Sequence, residues 1–493
     1  MMKIKKEYWV LAIIVAVAFF LRFYNAEKWF DFTHDGDLYS WVFKDIAIDH
    51  HIRLIGQVTS TPGIYIGPLF YYSVIPFFLL FNMEPVGAVY TVLILGLLTT
   101  ISFYWIFKKL FSLEAGLIAA SLHGFLLSRV FYDRWVVPTV TTSLWEVWYF
   151  YCVVMIFRGN FNVFPILGAL VGLIWHISFS LTPSLVGVLV AFIFAKKMPT
   201  IKQLLLGVVG FFATAFPLFL FEFKHNFSQY RSFITSFQVD QGEKGGLEKL
   251  NHVIAQVSGN AYSLFFHPDH GETWARLTFF TLLLVLGVFL AYKRYIPRKL
   301  LIVLFAWILG MVGFFSSSSK IITEYYFSNI NMLVLAIVIL FLSYLYMTFK
   351  VGRGMVIIFI VGLGIWSIYW MFTSFTYNFL GYQERKAVAE YIAQDAKINS
   401  YPCVSVSYVA RRGYEFGFRY VFYLQDLHVN KPASGSPIYS IVAPHDFIED
   451  SRKVRIGNYA VIPEGSNKSK EEIAVTCSGV NENVEGDLFG YTE

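Results

Sequence analysis

The chain has 493 residues, of which 56% are hydrophobic, 19% aromatic and only 15% charged. Soluble domains usually carry about 25% charged residues, so one water-soluble core could not hide this much apolar side chain. The ordinary contents of Pro and Gly and the many Phe residues exclude fibrous and disordered classes. The net charge of +6 does not indicate nucleic acid, because its meaning depends on which loops hold Lys and Arg. The composition predicts a polytopic membrane protein without a nucleic-acid partner.

Apolar stretches recur along the chain at lengths that suit bilayer-spanning helices, which need about 20 mostly apolar residues. With a cytoplasmic N-terminus and about 11 spans, every cluster of Lys and Arg in the short loops falls on the cytoplasmic side, as the positive-inside rule expects. We therefore predict a multi-pass protein of the plasma (inner) membrane with an extracytoplasmic C-terminal domain. The eleven stretches centre on Ile14, Ile94, Ala120, Phe150, Leu170, Leu189, Val209, Leu284, Phe305, Val338 and Val361.

Three polar regions face outward in this topology: residues 25–83, 224–273 and 381–493. The first contains aromatic segments, among them the apolar run 68–81, which suit helices lying in the headgroup plane. The second contains apolar residues at helical spacing from Leu247 to Leu264. The tail has a helical pattern over 385–396 and strand patterns over 404–408, 439–443 and 459–462. The predicted fold class is mainly α, with a transmembrane domain over 1–380 and a small extracytoplasmic α/β domain over 381–493.

The three cysteines give neither a metal-binding spacing nor a C-x-x-C redox pair. Cys152 lies in an apolar run and is expected to be inert. Cys403 and Cys477 both lie in the tail, and an extracytoplasmic location allows a disulfide between them. The sequence does not report their separation, so the paired and free states stay open.

Two carboxylates follow the first predicted span in the segment His34-Asp35-Gly36-Asp37. A partly desolvated Asp beside aromatic residues at a membrane surface can be tuned as a general base. Alternatively, Asp35 or Asp37 caps the helix that continues through Trp41. Both interpretations remain open on the sequence alone.

Cationic residues occur near other predicted external turns. Arg129 and Arg134 flank Asp133, and the forked donors of Arg match phosphate oxygens. Asp133 could instead form a structural salt bridge with a neighbouring Arg. His176, near the outer end of a predicted span, could contact a phosphate.

A third group of polar residues lies where the tenth predicted span begins on the outer face. Lys320, Glu324 and Tyr325 cluster there, although a helix pair and aromatic-belt residues are equally ordinary interpretations. The segment 267–270 offers two imidazoles and a carboxylate, but its Pro breaks the helix and no further ligand follows. We predict no metal site in this segment.

Together these segments resemble the GT-C superfamily of polytopic glycosyltransferases. The nearest branch, similar to glycosyltransferase family 39, includes protein O-mannosyltransferases and the aminoarabinose transferases acting on lipid A. The order of the segments, the loop lengths and the sidedness carry the resemblance. The matching segments are Leu21-Arg22-Phe23 with His34-Asp35-Gly36-Asp37, Gly67-Pro68-Leu69-Phe70-Tyr71-Tyr72, Arg129 to Pro138, and Glu324-Tyr325-Tyr326-Phe327.

The resemblance implies a catalytic transmembrane domain that takes a sugar from a polyprenyl-phosphate donor and transfers it, with inversion, to a protein, glycan or lipid acceptor. The catalytic Asp carries over to Asp35 by position, with Asp37 as the second candidate because Asp-Gly-Asp stands here in place of an Asp-Glu pair. The usual basic residue before the Pro-Leu motif is missing, so other cations must meet the phosphate charge. The phosphate candidates are Arg129, Arg134, His176 and Lys320, and the substrate-cavity candidates are His34, Tyr71, Asp133, Glu324 and Tyr325.

Other functions use the same features. A transporter or flippase for a lipid-linked sugar would use the cavity and cations without a general base. A lipid-linked oligosaccharide ligase or polymerase would need a larger outer cavity, and a non-catalytic scaffold would use the tail as its interaction module. Branches of the superfamily differ in metal use, so no cofactor is certain and a divalent metal stays open.

Overall fold

The computed structural model of the protein describes residues 6–59, 61–236, 245–267, 269–318, 321–373, 381–466 and 468–484. The chain divides into two compact units. Unit 1 contains Met1–Tyr24, Leu54–Phe70 and Val92–Phe375, and unit 2 contains Asn25–Arg53, Tyr71–Thr91 and Thr376–Glu493. Unit 2 therefore combines the predicted C-terminal domain with two segments of the first predicted external loop.

All eleven predicted apolar stretches are helical. Among the described residues, seven helices are long and apolar enough to cross a membrane, judged by length and composition. The number of spans stays a prediction, because several of the other apolar helices are shorter. The seven are Val86–Leu110, Pro138–Phe157, Ile201–Lys224, Thr273–Tyr292, Arg298–Ser316, Ile330–Thr348 and Lys350–Thr373.

The elements described in the first half of the chain are helices, with short 3-10 turns between some of them. Helix starts follow ordinary capping chemistry: Ser112 accepts the N–H of Ala115, and Thr200 and Gln203 form a reciprocal capping box. The helices are α1 Lys6–Phe23, α2 His34–Ala47, α3 Leu69–Leu80, α4 Val86–Leu110, α5 Leu113–Phe125, α6 Leu127–Tyr132, α7 Thr142–Phe157, α8 Phe164–Ile177, α9 Leu185–Phe194 and α10 Ile201–Lys224.

The second half adds the remaining helices and all the strands. The predicted helices over 247–264 and 385–396 are confirmed, as are the three predicted strands. The helices are α11 Ser228–Ser236, α12 Gly246–Ser263, α13 Thr273–Tyr292, α14 Arg298–Ser316, α15 Ile330–Thr348, α16 Lys350–Thr373, α17 Tyr382–Ile398, α18 Arg419–Leu424 and α19 Lys470–Thr476; the strands are β1 Val404–Ala410, β2 Val429–Asn430, β3 Ile438–Ala443, β4 Val454–Ile456 and β5 Tyr459–Gly465.

Close helix packing in unit 1 depends on small residues. Gly168 and Gly172 on α8 face α10, and a Cβ at either position would overlap atoms of α10. Small residues let membrane helices approach each other closely. This contact fixes the C-terminal end of α8, which carries His176.

The sheet of unit 2 has the strand order β2-β1-β3-β5-β4. β1 runs parallel to β2 and β3, whereas β5 is antiparallel to β3 and β4. Cys403 precedes β1 and joins Cys477, after α19, in a disulfide with Cα atoms 5.5 Å apart. The disulfide ties α19 to the sheet.

The aromatic residues of the first loop are largely core residues of unit 2. Trp41 on α2 packs edge-on against Tyr420 of α18 at 5.5 Å, and Phe78 on α3 lies 6.0 Å from the same ring. Tyr71, a predicted substrate-cavity residue, is fully buried with its ring 5.8 Å from Tyr39. Aromatic side chains bury large apolar areas, so this packing stabilises α2 and α3 against α18.

Candidate functional site

The last turn of α1 buries a charged pair in unit 1. Arg22 is 0% exposed, and its Nε donates to Oδ2 of Asp133 at 2.8 Å, while Nη2 lies 2.6 Å from the same oxygen. Its remaining N–H groups donate to the carbonyls of Ala18, His123 and Gly124 at 3.3, 3.1 and 3.0 Å. Asp133 was predicted in the substrate cavity, but it is the buried counter-ion of Arg22.

Arg134 and Arg129 differ in how they are held. Nη2 of Arg134 donates to the carbonyls of Leu21 and Tyr24 at 2.7 and 2.9 Å, which completes the C-terminal end of α1. Nη1 of Arg129 donates to Ser143 at 3.3 Å, and its Nε has no hydrogen-bond partner among the described residues. Nη2 of Arg134 is therefore committed to the end of α1, whereas Nε of Arg129 has no acceptor among the described residues.

His176 connects the 54–70 segment to α10 through both ring nitrogens. Its Nε2–H donates to the carbonyl of Thr214 at 2.8 Å, so Nδ1 is the acceptor for the N–H of Leu69 at 3.3 Å. A Cβ at Gly67 would overlap the imidazole. With both nitrogens bonded to backbone, His176 has no polar atom left for a phosphate and acts as a scaffold residue.

The start of α15 presents part of the third predicted group. Glu324 is exposed in the 3-10 turn Glu324–Phe327, and its carbonyl accepts a hydrogen bond from Asn260 of α12 at 2.9 Å. The ring of Tyr325 packs edge-on against Tyr326 at 4.7 Å. Lys320 lies outside the described residues.

The predicted catalytic segment forms the first turn of α2 in unit 2. Thr33 is the N-cap residue of α2, so neither Asp35 nor Asp37 occupies the capping position of its own helix. The side chain of Thr33 makes no capping bond. Asp35 is exposed and makes no hydrogen bond or ion pair with any part of the chain that the structure describes. Asp37 is only 6% exposed, and its Oδ1 accepts the N–H of Tyr420 at 2.7 Å. Asp37 therefore caps the first turn of α18.

Burial dominates the electrostatics of Asp37 and raises its pKa to about 6. The hydrogen bond from Tyr420 and the positive charges of Arg419, His34 and Arg385 oppose this rise in pKa. Without these opposing groups, desolvation would hold the carboxyl in its neutral form to a higher pH. The carboxylate that caps α18 therefore changes its charge at a pH of about 6, and not near its ordinary pKa of 3.8.

Arg385 on α17 is a functional candidate that the sequence did not indicate. It is 0% exposed, and its Nε donates to the carbonyl of Phe416 at 2.8 Å. Phe416 is itself 45% exposed, with its ring 5.5 Å from the exposed imidazole of His34. We call His34, Asp35, Asp37, Arg385 and Phe416 the acidic–aromatic cluster. Periodicity could not find it, because its two segments, 34–37 and 385–416, lie more than 300 residues apart in the sequence.

Among the described residues, no group of three His, Cys, Asp or Glu side chains could hold a metal ion. The use of a divalent metal therefore stays the open expectation that the sequence left.

Comparison with known proteins addresses the fold. No family model matches the sequence, and no curated protein matches it. The fold is similar to the crystal structure of ArnT from Cupriavidus metallidurans bound to undecaprenyl phosphate, with a TM-score of 0.58, 13% identity, and coverage of 93% of this chain and 98% of ArnT. The Archaeoglobus fulgidus oligosaccharyltransferase in complex with zinc and sulfate has a TM-score of 0.46 and 14% identity, over 88% of this chain and 68% of that one. The likeness to ArnT confirms the predicted GT-C fold.

Proposed function

We propose that the protein is an inverting glycosyltransferase that moves a sugar from a polyprenyl phosphate to an acceptor hydroxyl on the outer face of the plasma membrane. The main support is the similarity to ArnT, whose structure holds undecaprenyl phosphate, over nearly the full length of both chains. A prenyl chain stays within the bilayer, so an enzyme acting on it needs a membrane-embedded domain. Seven long apolar helices are suited to provide one.

Asp35 is our choice for the general base. A base must be free to accept a proton and open to the acceptor, and Asp35 is exposed with no partner in the part of the chain that the structure describes. Asp37, two residues further on, is already bonded to the backbone of Tyr420. This difference between the two carboxylates carries the assignment of Asp35 over Asp37.

The proposed reaction is a single displacement at the anomeric carbon of the sugar. The Asp35 carboxylate takes the proton of the acceptor hydroxyl, and the acceptor oxygen forms a bond to the anomeric carbon of the sugar. The bond from that carbon to the phosphate oxygen breaks on the opposite face, so the configuration inverts and the electron pair leaves with the polyprenyl phosphate. Cations that meet the phosphate charge make it a better leaving group. Arg129, whose Nε has no acceptor among the described residues, stays a predicted ligand of this phosphate.

A matched pair of variants tests the proposal. Purified full-length protein in nanodiscs is given a polyprenyl-phosphate donor with a radiolabelled sugar, and the labelled product is measured. Asp35→Asn should lower transfer about 10²–10⁴-fold, the usual contribution of a general base, with unchanged binding of undecaprenyl phosphate. Asp37→Asn keeps an acceptor oxygen for Tyr420 and should stay within about tenfold of the parent protein.

Three outcomes contradict the proposal at different points. Full activity of Asp35→Asn removes Asp35 from the mechanism. A greater loss in Asp37→Asn than in Asp35→Asn, with both proteins folded, reverses the assignment of the two carboxylates. Movement of the label across a sealed membrane without a new glycosidic bond identifies a transporter.

A further inference from the structure

Four helices of unit 1, namely α1, α5, α15 and α16, enclose an apolar groove with a volume of about 540 Å³. Ile13 and Ile365 on its rim are 64% and 63% exposed, whereas Ile118 and Val356 on its floor are 3% and 2% exposed. Exposed apolar side chains on the helices of a membrane domain face lipid, so the groove opens toward the bilayer. We call it the α1–α16 groove, and its lining runs from Val10, Glu114 and Val356 to Val17, Phe125 and Ile368.

The two ends of the α1–α16 groove differ in polarity. At one end, Glu114 lies in the first turn of α5 and Tyr346 in the last turn of α15. The guanidinium of Arg353, in the first turn of α16, lies 5.1 Å from the centre of the Tyr346 ring. The other end is apolar and lies beside Phe125 and Ile368. This polarity matches an amphiphile whose headgroup lies at the helix ends and whose chain follows the helices.

The length of the groove matches one leaflet of a bilayer. From Glu114 to Phe125, α5 advances about 16 Å at about 1.5 Å per residue. The hydrocarbon core of a bilayer is about 30 Å thick, so the groove spans about half of it. An acyl chain of a phospholipid has this reach, whereas an undecaprenyl chain is far longer.

Glu114 and Arg353 carry opposite charges and are not paired with each other. Glu114 is half-buried and Arg353 is exposed, and within the described residues neither has an ion pair within 4.0 Å. Lys108, at the end of α4, is already held by Glu7 at 3.2 Å. A free carboxylate and a free guanidinium at one end of a groove match the two charges of a zwitterionic headgroup.

The hydrogen-bond donors of the headgroup distinguish one phospholipid from another at Glu114. The ammonium of phosphatidylethanolamine has three N–H donors and a positive charge, so it can make a charge-assisted hydrogen bond to the carboxylate. The choline group of phosphatidylcholine is fully methylated and has no N–H donor. The glycerol hydroxyls of phosphatidylglycerol are neutral and make a weaker bond to a carboxylate. Glu114 therefore favours ethanolamine.

We propose that the α1–α16 groove is a binding site for phosphatidylethanolamine. One acyl chain lies in the groove, the ammonium group donates to Glu114, and the phosphate accepts from Arg353. The lipid is a resident of the membrane domain and is neither the sugar donor nor the acceptor. The proposal is independent of the proposed function, because neither Asp35 nor Arg129 belongs to the groove.

Native mass spectrometry of the full-length protein in detergent tests the choice of lipid. The protein is titrated with phosphatidylethanolamine, phosphatidylcholine or phosphatidylglycerol of identical acyl chains, and the affinity for the first bound lipid is measured. Phosphatidylethanolamine should bind about tenfold more tightly than phosphatidylcholine, because only its headgroup donates a hydrogen bond to a charged group. Equal affinities for these two lipids, or tighter binding of phosphatidylglycerol, overturn the proposal.

Two glycines of α16 provide a matched pair that tests the location of the acyl chain. Gly364 is buried and lines the groove, and a Cβ there would make only ordinary contact with Phe125 at 3.5 Å. Gly364→Leu should fill the groove and lower the affinity for phosphatidylethanolamine at least about tenfold. Gly362 is exposed with open space around it, so Gly362→Leu should bind the lipid like the parent protein. Unchanged affinity in Gly364→Leu overturns the proposal.

Two charge variants test the headgroup contacts and do not depend on how well Gly364→Leu folds. Glu114→Leu should abolish the preference for phosphatidylethanolamine over phosphatidylcholine. Arg353→Gln should weaken the binding of both lipids equally, because both carry the phosphate, whereas Arg298→Gln, at the exposed first residue of α14, should leave both affinities unchanged. General damage to the fold would not divide the two effects in this way. A retained preference in Glu114→Leu, or unchanged affinities in Arg353→Gln, contradicts the proposed contacts.

Competition with undecaprenyl phosphate separates this site from the proposed function. Excess undecaprenyl phosphate should not displace phosphatidylethanolamine from the parent protein, because the groove is too short for its chain. Displacement would identify the groove as a site for the prenyl lipid and overturn the proposal. Binding of phosphatidylethanolamine by a protein that forms no glycosidic bond would support this site and refute only the transferase.

Discussion

The two units each bury an arginine completely, but they hold it differently. Arg22 in unit 1 donates to Asp133 and to three backbone carbonyls, so every N–H group is used. Among the described residues, Arg385 in unit 2 donates only through Nε. Two arginines that are equally buried therefore differ in how many of their donors the surrounding chain satisfies.

The carboxylates follow the same division. Asp133 neutralises Arg22, and Asp37 accepts the backbone N–H of Tyr420, so both are engaged inside the protein. Asp35 is exposed and forms no such bond among the described residues. The hydrogen bonds in the structure therefore distinguish carboxylates that look equivalent in the sequence.

The largest expected effect is on stability, from the pair of Arg22 and Asp133. Removing one partner of a buried ion pair typically costs about 3–5 kcal/mol, because it leaves an uncompensated buried charge. Asp133→Asn should therefore lower the melting temperature of the detergent-solubilised protein markedly. Asp35→Asn, at an exposed carboxylate of similar chemistry, is the matched control and should leave the melting temperature unchanged.

A double variant sharpens this expectation. Arg22→Met combined with Asp133→Leu removes both charges and should recover much of the stability that Asp133→Asn loses. If Asp133→Asn melts like the parent protein, Asp133 is not the structural counter-ion that its geometry indicates.

The next effect concerns pH and Asp37. The carboxyl has an ordinary pKa of 3.8 and a pKa of about 6 in the folded protein, so the folded state holds the proton more tightly than the unfolded state. Stability should therefore fall as the pH rises from about 4 to about 6 and then level off. A pKa difference of about 2 corresponds to about 3 kcal/mol.

Thermal melting between pH 4 and pH 7.5 measures this effect. Asp37→Asn cannot titrate, so its melting temperature should approach that of the parent protein near pH 4 and exceed it near pH 7.5. Parallel curves for the two proteins would show that Asp37 does not control this pH dependence.

Much of the fold follows from sequence patterns with a strong physical basis. Each apolar stretch becomes a helix because backbone polar groups must be satisfied within the chain where water is absent. The strands β1, β3 and β5 are recognisable because β-branched and aromatic residues fill them. The strands β2 and β4, of only two and three residues, are too short to give such a pattern.

The candidate site was less accessible from the sequence. Asp35 and Asp37 have similar local patterns, and only the contact between Asp37 and Tyr420, 383 positions away, distinguishes them. Arg385 lies in an ordinary amphipathic helix, where nothing marks its fork as unused. His176 looks like a ligand because isolated intramembrane histidines often are, yet its two backbone bonds come from segments distant in the sequence.

The smallest predicted effect applies the same reasoning to the donor phosphate. Arg129 has an unused Nε, whereas both nitrogens of His176 are bonded to backbone. Arg129→Gln should therefore weaken binding of undecaprenyl phosphate about tenfold, or about 1.4 kcal/mol, in protein that thermal melting shows to be folded. His176→Ala should do the reverse, lowering the melting temperature while binding the lipid like the parent protein. Equal affinities in Arg129→Gln and the parent protein would show that an unused N–H group in unit 1 does not identify the phosphate ligand. The contrast between side chains whose hydrogen-bonding groups are all used and those with an unused group would then have no functional meaning in unit 1.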